Sequence, residues 1–542
     1  MAQPHSHAHN PYTLTNLTVP PSPPSTAAVP HVLRVQDPPA EITHTDRSAL
    51  ELDAGKKMDK NLLEKNTELI LNQEDHLHLT WHVFTQEVKE VCYVAGPMVA
   101  VNYSTFFLQT ISLMMVGHLG KLVQSSTGVA MSLCAVTGFS VMFGMASALE
   151  TLCGQAYGAK QYKKFGVQIQ TGIFCLILCC IPVSVLWLNL GKILVLLGQD
   201  PLISHEASKF AICLIPALFG YAILQALIRY YLMQSLITPL VLSSSFTICF
   251  HVVFSWTLVF KSSLGRFGGA FAIGTSYWLN VTLLALHMKF SNSCANTRVP
   301  ISMELFHGIR EYFGMAVPSA IMACFQWWSY EVTILLAGRL RPNPQLETSI
   351  LAVCVSMNYA IYSIPESIGS AASTRVSNAL GAGSPQAARV SAICSRVIML
   401  CEAITVSLII FASRDVLGHV FSNEPDVIRS VTDISPLLVM SVFVDSLQGT
   451  LTGIARGSGW QHIGAYVNFG AYYVVGIPLA AILGFVVHMR AKGLWLGITT
   501  GTLVQVILLL IIISRTDWAK EARLARQRTL QRTLAEDENV LI

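Results

Sequence analysis

The sequence predicts an all-α polytopic membrane protein with twelve transmembrane helices in two pseudosymmetric six-helix lobes. Hydrophobic residues make up 52% of the 542 residues and charged residues only 12%. A soluble protein carries about 25% charged residues. Runs of apolar residues recur from Val91 to Ile513, each of about 20 residues, the length that a helix needs to cross a bilayer. The two halves of this stretch also resemble each other in register.

The apolar runs divide the chain into five predicted segments. These are a disordered cytoplasmic N-terminal extension (1–84), an N-lobe of six spans (85–290), an inter-lobe linker (291–312), a C-lobe of six spans (313–514) and a cytoplasmic C-terminal tail (515–542). The extension is polar and rich in proline and contains no plausible core. An even number of spans places both termini on one side, and the arginine-rich tail favours the cytoplasm.

Three separate segments repeat at nearly constant spacing. Pro97 and Pro318 each precede a glycine by 20 residues, and the segment TLCGQAYGA resembles the later segment TRVSNALGA. Leu224–Gln225 and Leu447–Gln448 superimpose at a spacing of 223 residues. Such an internal repeat predicts two six-helix bundles, an arrangement typical of secondary transporters.

Two acids stand out inside the predicted spans. The repeat superimposes Glu331 on Thr110 and Asp445 on Ala222, so these acids belong to the second half alone. A carboxylate inside a span costs about 2.5 kcal/mol or more and is therefore a candidate functional group. Removal from water favours the neutral form, so such a carboxyl can hold either a proton or an organic cation. We predict that Glu331 and Asp445 couple transport to protons; a permanent hydrogen bond to a neighbouring helix is the alternative.

Further polar residues extend this candidate site. An additional proton or polar site is predicted at Glu150, Glu366, Gln448 and Gln225. Glu150 is either a proton site of the first bundle or an anchor for the adjoining polar loop. Glu366 follows Pro365, which we expect to break its helix and expose backbone carbonyls. Arg229 is expected to anchor the cytoplasmic end of its span.

An aromatic cluster predicts a substrate cavity. Its candidate lining residues are Trp327, Trp328, Phe106, Phe107 and Thr452. The tryptophans precede Glu331 by three and four residues, so all three can share one helix face. The repeat superimposes the phenylalanine pair on the tryptophan pair. Aromatic rings stack on flat or cationic substrates, although aromatic residues in membrane helices also serve packing.

The sequence gives no indication of an enzyme. It contains no GxxxxGK[ST] loop for ATP, no HExxH motif and no Ser/His/Asp pattern at plausible spacing. The thirteen cysteines form no CxxC pair, so no metal or cofactor is expected. A net charge of +4 gives no reason to expect nucleic-acid binding. The energy for transport is therefore expected to come from an ion gradient.

Six motifs resemble plant members of the multidrug and toxic compound extrusion family, also called DETOXIFICATION proteins. They are SALETLCGQAYGAKQYKKFG, CLIPALFGYAILQ, QWWSYE, LRPNPQLETS, STRVSNALGAGSPQAARVS and GIARGSGWQHIGAYVN. The resemblance covers roughly residues 85–515. It implies a two-lobe fold that alternates between outward and inward openings and exchanges protons for organic solutes. It also implies that the acid after the tryptophan pair, Glu331, and the acid of the tenth span, Asp445, serve the proton-linked site.

The chain departs from the family pattern at three positions. Gln326 stands where relatives usually have Glu, Ala379 replaces the Glu of the SNELGAG pattern, and Glu366 stands where an aromatic residue is more typical. Losing two acids and gaining one alters the charge pattern on which selectivity depends.

The sequence thus predicts a proton-coupled antiporter in the bilayer. We expect a monomer that exports alkaloids, flavonoids or xenobiotics across the plasma or vacuolar membrane. Sodium is an alternative coupling ion, because carboxylates bind either ion. A lipid-linked substrate flippase of the same superfamily would favour a cavity richer in Arg and Lys. A non-transporting membrane receptor or scaffold would tolerate loss of the acids.

Overall fold

The computed structural model describes residues 80–196, 198–414, 416 and 425–540, and for 425–427 and 530–540 it describes the backbone alone. All of these residues belong to one unit, Glu68–Ile542. The disorder predicted for the N-terminal extension falls almost entirely outside them.

The described residues contain 12 helices long and apolar enough to cross a membrane. This confirms the predicted all-α fold with twelve spans, whereas the division into two lobes stays a prediction. The helices are α1 (Trp81–Gly117), α2 (Lys121–Gly158), α3 (Tyr162–Leu188), α4 (Pro201–Met233), α5 (Ile237–Lys261), α6 (Arg266–Phe290), α7 (Ile309–Ala337), α8 (Pro344–Gly381), α9 (Pro385–Ala412), α10 (Pro425–Ser458), α11 (Gln461–Val486) and α12 (Arg490–Ser514). A further helix, α13 (Trp518–Val540), follows them.

Helix α1 begins earlier than the apolar run does. Residues 81–84, assigned to the disordered extension, are helical. The Thr80 hydroxyl caps this end by accepting a hydrogen bond from the Val83 amide at 3.4 Å. Glu87 then accepts hydrogen bonds from Arg375 at 2.5 Å and from Ser391 at 2.6 Å. These contacts fasten the polar start of α1 to α8 and α9, which an apolar run cannot indicate.

Helix α8 continues through Pro365, contrary to the predicted break. Membrane helices tolerate proline where neighbouring helices compensate for the lost backbone hydrogen bond. Here α10 packs closely against the proline, because a Cβ added at Gly449 would lie 3.1 Å from the Pro365 Cβ. Irregular, π-helical turns lie instead in α2, α5 and α11, and the one in α2 comprises Ala135–Phe139. The Val136 carbonyl in this turn accepts a hydrogen bond from the Trp328 indole at 2.9 Å.

The two halves of the chain meet through backbone contacts at one end. With an even number of spans, α1 begins on the same side as α12 ends, and we call this the terminal side. Helix α2 ends there against the end of α8. A Cβ added at Gly158 would overlap the Asn378 carbonyl, and one at Gly381 would overlap the Gln155 carbonyl. The glycines therefore permit a contact that closes the terminal side.

A methyl group at Gly158 tests this closure. We expect Gly158→Ala to impair transport strongly, because the added Cβ forces α2 and α8 apart on the terminal side. The measurement is the initial transport rate at equal amounts of inserted protein. The control is Gly314→Ala in α7, where no atom of another described element lies within 4 Å of the added Cβ and a gain of about 0.5–1 kcal/mol in stability is expected. Equal rates in the two variants would contradict a need for this close approach.

Helix α13 packs on the terminal side. Lys164 at the start of α3 donates hydrogen bonds to the carbonyls of Arg528 at 2.7 Å and Thr529 at 3.1 Å. Ala522 and Ala525 are buried in a hydrophobic cluster that includes residues of α8, α9 and α10. The predicted tail thus contains a packed helix that contacts both halves of the chain.

Candidate functional site

A cavity of about 440 Å³ lies between the two halves. Helices α1, α2, α4, α7, α8 and α10 contribute its walls. It extends from Leu113 and Gly128, near the side opposite the terminal side, to Arg229 and Arg456. Those two arginines lie just short of the closed contact between α2 and α8, so we call this end the floor.

Glu331 lines the cavity in its second-half wall. Ser132 of α2 donates a hydrogen bond to its Oε2 at 2.9 Å. Beside it, the Trp327 ring stacks on Phe143 with a centroid separation of 5.8 Å and lies 6.2 Å from the ring of Tyr359. The carboxyl thus faces the cavity next to an aromatic wall, where it can meet either a proton or a solute.

The structure places two of the four predicted aromatic residues in the cavity. Trp327 and Phe106 line it, whereas Phe107 and Trp328 do not. Phe107 is 44% exposed, and Trp328 donates its indole N–H to α2. Successive residues of a helix point about 100° apart, because one turn contains about 3.6 residues. In α7 this rotation turns Trp328 toward α2, and in α1 it turns Phe107 away from the cavity.

Asp445 does not line the cavity, but it lies directly behind its wall. The Tyr330 hydroxyl donates to the Asp445 carboxylate at 3.2 Å and the Asn358 amide at 2.9 Å. Both partners line the cavity, whereas Asp445 is 4% exposed. These two side chains therefore connect the buried acid to the cavity.

Gln448 belongs to a second hydrogen-bonded group behind the wall. Its amide exchanges hydrogen bonds with Gln326 at 2.9 and 3.1 Å and donates to Thr452 at 2.8 Å. Its carbonyl also accepts from the Tyr362 hydroxyl at 3.0 Å. Gln326, Thr452 and Tyr362 line the cavity. Gln326 thus forms a neutral amide pair with Gln448.

Four charged residues form a network across the floor. The Arg456 guanidinium of α10 contacts Glu150 of α2 at 3.0 Å and Glu366 of α8 at 2.8 Å. Arg229 of α4 lies 3.5 Å from the other oxygen of Glu150 and is hydrogen-bonded to Gln225. Two positive and two negative groups balance one another, so the network carries no net charge. It ties the two halves together beside the closed terminal side.

The network changes the interpretation of three polar residues. Arg229 lies four residues before the end of α4, but it is buried over the Phe143 ring at 4.9 Å and pairs with Glu150. Glu150 pairs with Arg229 and Arg456 rather than fixing a loop. Glu366 lines the cavity and contacts Arg456. Each buried charge has the partner that a membrane interior requires.

Sequence reasoning did not single out Arg456 or Glu402, two of the charged residues inside the spans. Arg456 lies in the quoted motif GIARGSGW, and its position within an apolar run was the signal that could have identified it. Glu402 in α9 accepts a hydrogen bond from Ser446 at 3.3 Å. It faces a groove between α1 and α9 rather than the cavity. Within the described ranges, no group of His, Cys, Asp and Glu residues could hold a metal ion.

The MatE family model matches this chain twice, at residues 97–257 and 318–482. The matches begin at Pro97 and Pro318, the two prolines that the internal repeat superimposes. Protein DETOXIFICATION 14 of Arabidopsis thaliana is 55% identical over 84% of this chain and 94% of the relative. Protein DETOXIFICATION 10 of the same plant is 52% identical over 82% of this chain and 91% of that relative.

Solved structures share the fold. The crystal structure of the eukaryotic MATE transporter AtDTX14 is similar with a TM-score of 0.80 and 55% identity, covering 82% of this chain and 100% of that one. The Vibrio cholerae MATE transporter VcmN in the bent form has a TM-score of 0.71 at 13% identity, over 82% and 99% of the two chains. The second similarity concerns the fold alone.

Proposed function

Because the chain belongs to the MATE family of integral membrane transporters, which exchange small molecules for a cation, we propose that it is a proton-coupled exporter of small organic compounds. The observation that carries this proposal is the position of Glu331, a carboxyl that faces the cavity next to an aromatic wall. The family membership makes it a transporter and not an enzyme. The coupling ion, the solute and the residue roles are the proposed part.

Coupling rests on mutual exclusion at Glu331. When ionised, the carboxylate attracts the positive or polar part of a solute that stacks on Trp327. When protonated, it loses that attraction and the solute leaves. Ser132 can donate to the carboxyl in either state, since one of its oxygens always accepts. One site therefore alternates between the two ligands, as antiport requires.

Asp445 serves as a second proton acceptor in this proposal. Tyr330 and Asn358 stand between it and the cavity, so a proton can reach it while a solute cannot. Protonating Asp445 removes its negative charge and turns one of its two oxygens into a donor, which weakens the hydrogen bonds from Tyr330 and Asn358 and loosens these two side chains in the cavity wall. Protonation behind the wall thereby changes the shape of the solute site.

The floor network acts as the closed gate of this state. Its ion pairs join α2 to α10, and the glycine contacts of α2 and α8 lie beyond it. Access to the cavity from the terminal side requires both the ion pairs and the glycine contacts to separate. We assign the terminal side to the cytoplasm because the tail on that side is basic. The proposed solutes are alkaloids, flavonoids or xenobiotics. The proposed transporter is a monomer in the plasma or vacuolar membrane.

A substrate screen in inside-out vesicles tests the function. A pH gradient is imposed, and uptake of labelled alkaloids and flavonoids is measured with and without a protonophore. The proposal predicts uphill uptake that the protonophore abolishes. Uptake driven equally by a sodium gradient at constant pH would reject proton coupling, and no uptake of any organic solute would reject export.

Replacing the cavity tryptophan tests the aromatic wall. We expect Trp327→Ala to raise the apparent KM roughly tenfold, because stacking on an aromatic face contributes about 0.5–2 kcal/mol. Phe107→Ala serves as the matched control, since that ring comes from the same predicted cluster but lies outside the cavity. The measurement is the concentration dependence of initial uptake. A similar KM for both variants would place the solute elsewhere.

A further inference from the structure

A second polar cavity of about 500 Å³ lies on the terminal side, away from the transport cavity. It is formed where α9 begins, α12 ends and α13 begins. Its charged lining residues are Arg389, Arg396 and Asp517, and its large apolar ones are Ile393, Ile513 and Trp518. The cavity thus combines two positive groups with an apolar edge.

Among the described residues, neither Arg389 nor Arg396 forms an ion pair with an acid within 4.0 Å. Within the part of the chain that the structure describes, Arg396 forms one hydrogen bond, from its Nε to the Ala392 carbonyl of its own helix at 3.0 Å. Asp517 instead caps α13 by accepting from the Lys520 amide at 3.1 Å. An arginine inside a span is costly unless it is paired, and Arg396 lies about three turns into α9. Two guanidinium groups share the cavity with one carboxylate, and that carboxylate caps α13, so the excess of positive charge indicates an anionic ligand from outside the chain.

The position of the cavity matches the headgroup level of a bilayer. Arg389 and Arg396 lie in the second and fourth turns of α9, about 6 and 17 Å along its axis. Long arginine side chains extend toward the membrane surface, and Arg396 reaches the cavity lined by Ser514 and Thr516 at the end of α12. Trp518 flanks the same cavity, as tryptophans do at membrane interfaces.

We propose that this cavity binds the phosphate group of an anionic phospholipid in the terminal-side leaflet. The planar guanidinium fork matches the paired oxygens of a phosphate. Ile393 and Ile513 border the cavity where an acyl chain would begin. Because α9, α12 and α13 all contribute, the bound lipid fastens α13 to the helix bundle. Inorganic phosphate offers the same oxygens without the acyl chain.

Native mass spectrometry of the full chain in detergent tests this site. Phosphatidylglycerol and phosphatidylcholine are added at equal concentration, with and without inorganic phosphate. Preferential retention of phosphatidylglycerol is expected, and Arg389→Gln with Arg396→Gln should weaken it at least about tenfold. The matched control is Lys520→Gln with Arg523→Gln, which removes the same charge from exposed positions of the same side. The control should retain the lipid.

Four outcomes would overturn the proposal. They are equal binding of both lipids, unchanged retention in the double arginine variant, equal loss in the control, and displacement of the lipid by inorganic phosphate at equal concentration. The last outcome would assign the site to a free anion. If the double variant Arg389→Gln with Arg396→Gln does not remain folded, Arg389→Lys with Arg396→Lys is used in its place. This variant keeps both positive charges but lacks the paired N–H donors of the guanidinium group. Undiminished retention there would likewise reject recognition by guanidinium groups.

Discussion

Glu331→Gln is expected to abolish uphill, pH-driven efflux while leaving the protein folded and inserted. Glutamine has nearly the same shape and can still accept the hydrogen bond from Ser132, but it cannot ionise. The site then lacks the exchange between proton and solute, so a pH gradient no longer drives transport. The measurement is solute accumulation in proteoliposomes against a concentration gradient, which should fall to the level of empty vesicles.

The matched control for this variant is Glu402→Gln. Glu402 is also a carboxyl within a span and accepts a hydrogen bond from a serine, yet it faces the groove between α1 and α9. We expect it to retain coupled efflux. Asp445→Asn should lose coupling as Glu331→Gln does, because it removes the second acceptor. Coupled efflux that persists in Glu331→Gln would remove this residue from the mechanism.

The apolar runs were sufficient to predict the number and approximate positions of the spans, because every helix in lipid must be long and apolar. They could not predict where each helix ends. The ends of α1, α2 and α8 are polar or rich in small residues, and contacts with other helices hold them. Glu87, for example, is stabilised by Arg375, a residue of α8 distant in sequence. Such pairing depends on tertiary structure.

The candidate site, like the fold, was predictable from the sequence in part. Glu331 could be selected from the sequence because an acid in an apolar run is costly wherever it lies. Which side chains share a cavity depends on helix rotation, and so Phe107 and Trp328 were placed there wrongly. The floor network was only partly foreseen: Glu150 and Glu366 were selected as polar candidates, but Arg456 is what brings them together. The free-energy cost of a charge in an apolar run identifies each acid or base by itself, whereas helix packing determines which of them become partners.

Removal of Arg456 should have the largest effect on stability. Arg456→Met leaves Glu150 and Glu366 buried with only Arg229 to balance them. Breaking a buried ion pair by removing one partner costs about 3–5 kcal/mol, because the remaining charge is uncompensated. We therefore expect a large fall in the melting temperature and in the yield of purified protein.

A second substitution distinguishes charge imbalance from lost packing. Arg456→Met combined with Glu366→Gln restores neutrality, with Glu150 and Arg229 left as a pair. It should recover most of the lost stability, since replacing a whole buried ion pair is often neutral. Lys163→Met is the matched control: its ion pair with Glu304 has the same 2.8 Å distance but is exposed, so a loss under about 1 kcal/mol is expected. If the double variant were no more stable than Arg456→Met, the balance of charge at the floor would not be what holds the two halves together.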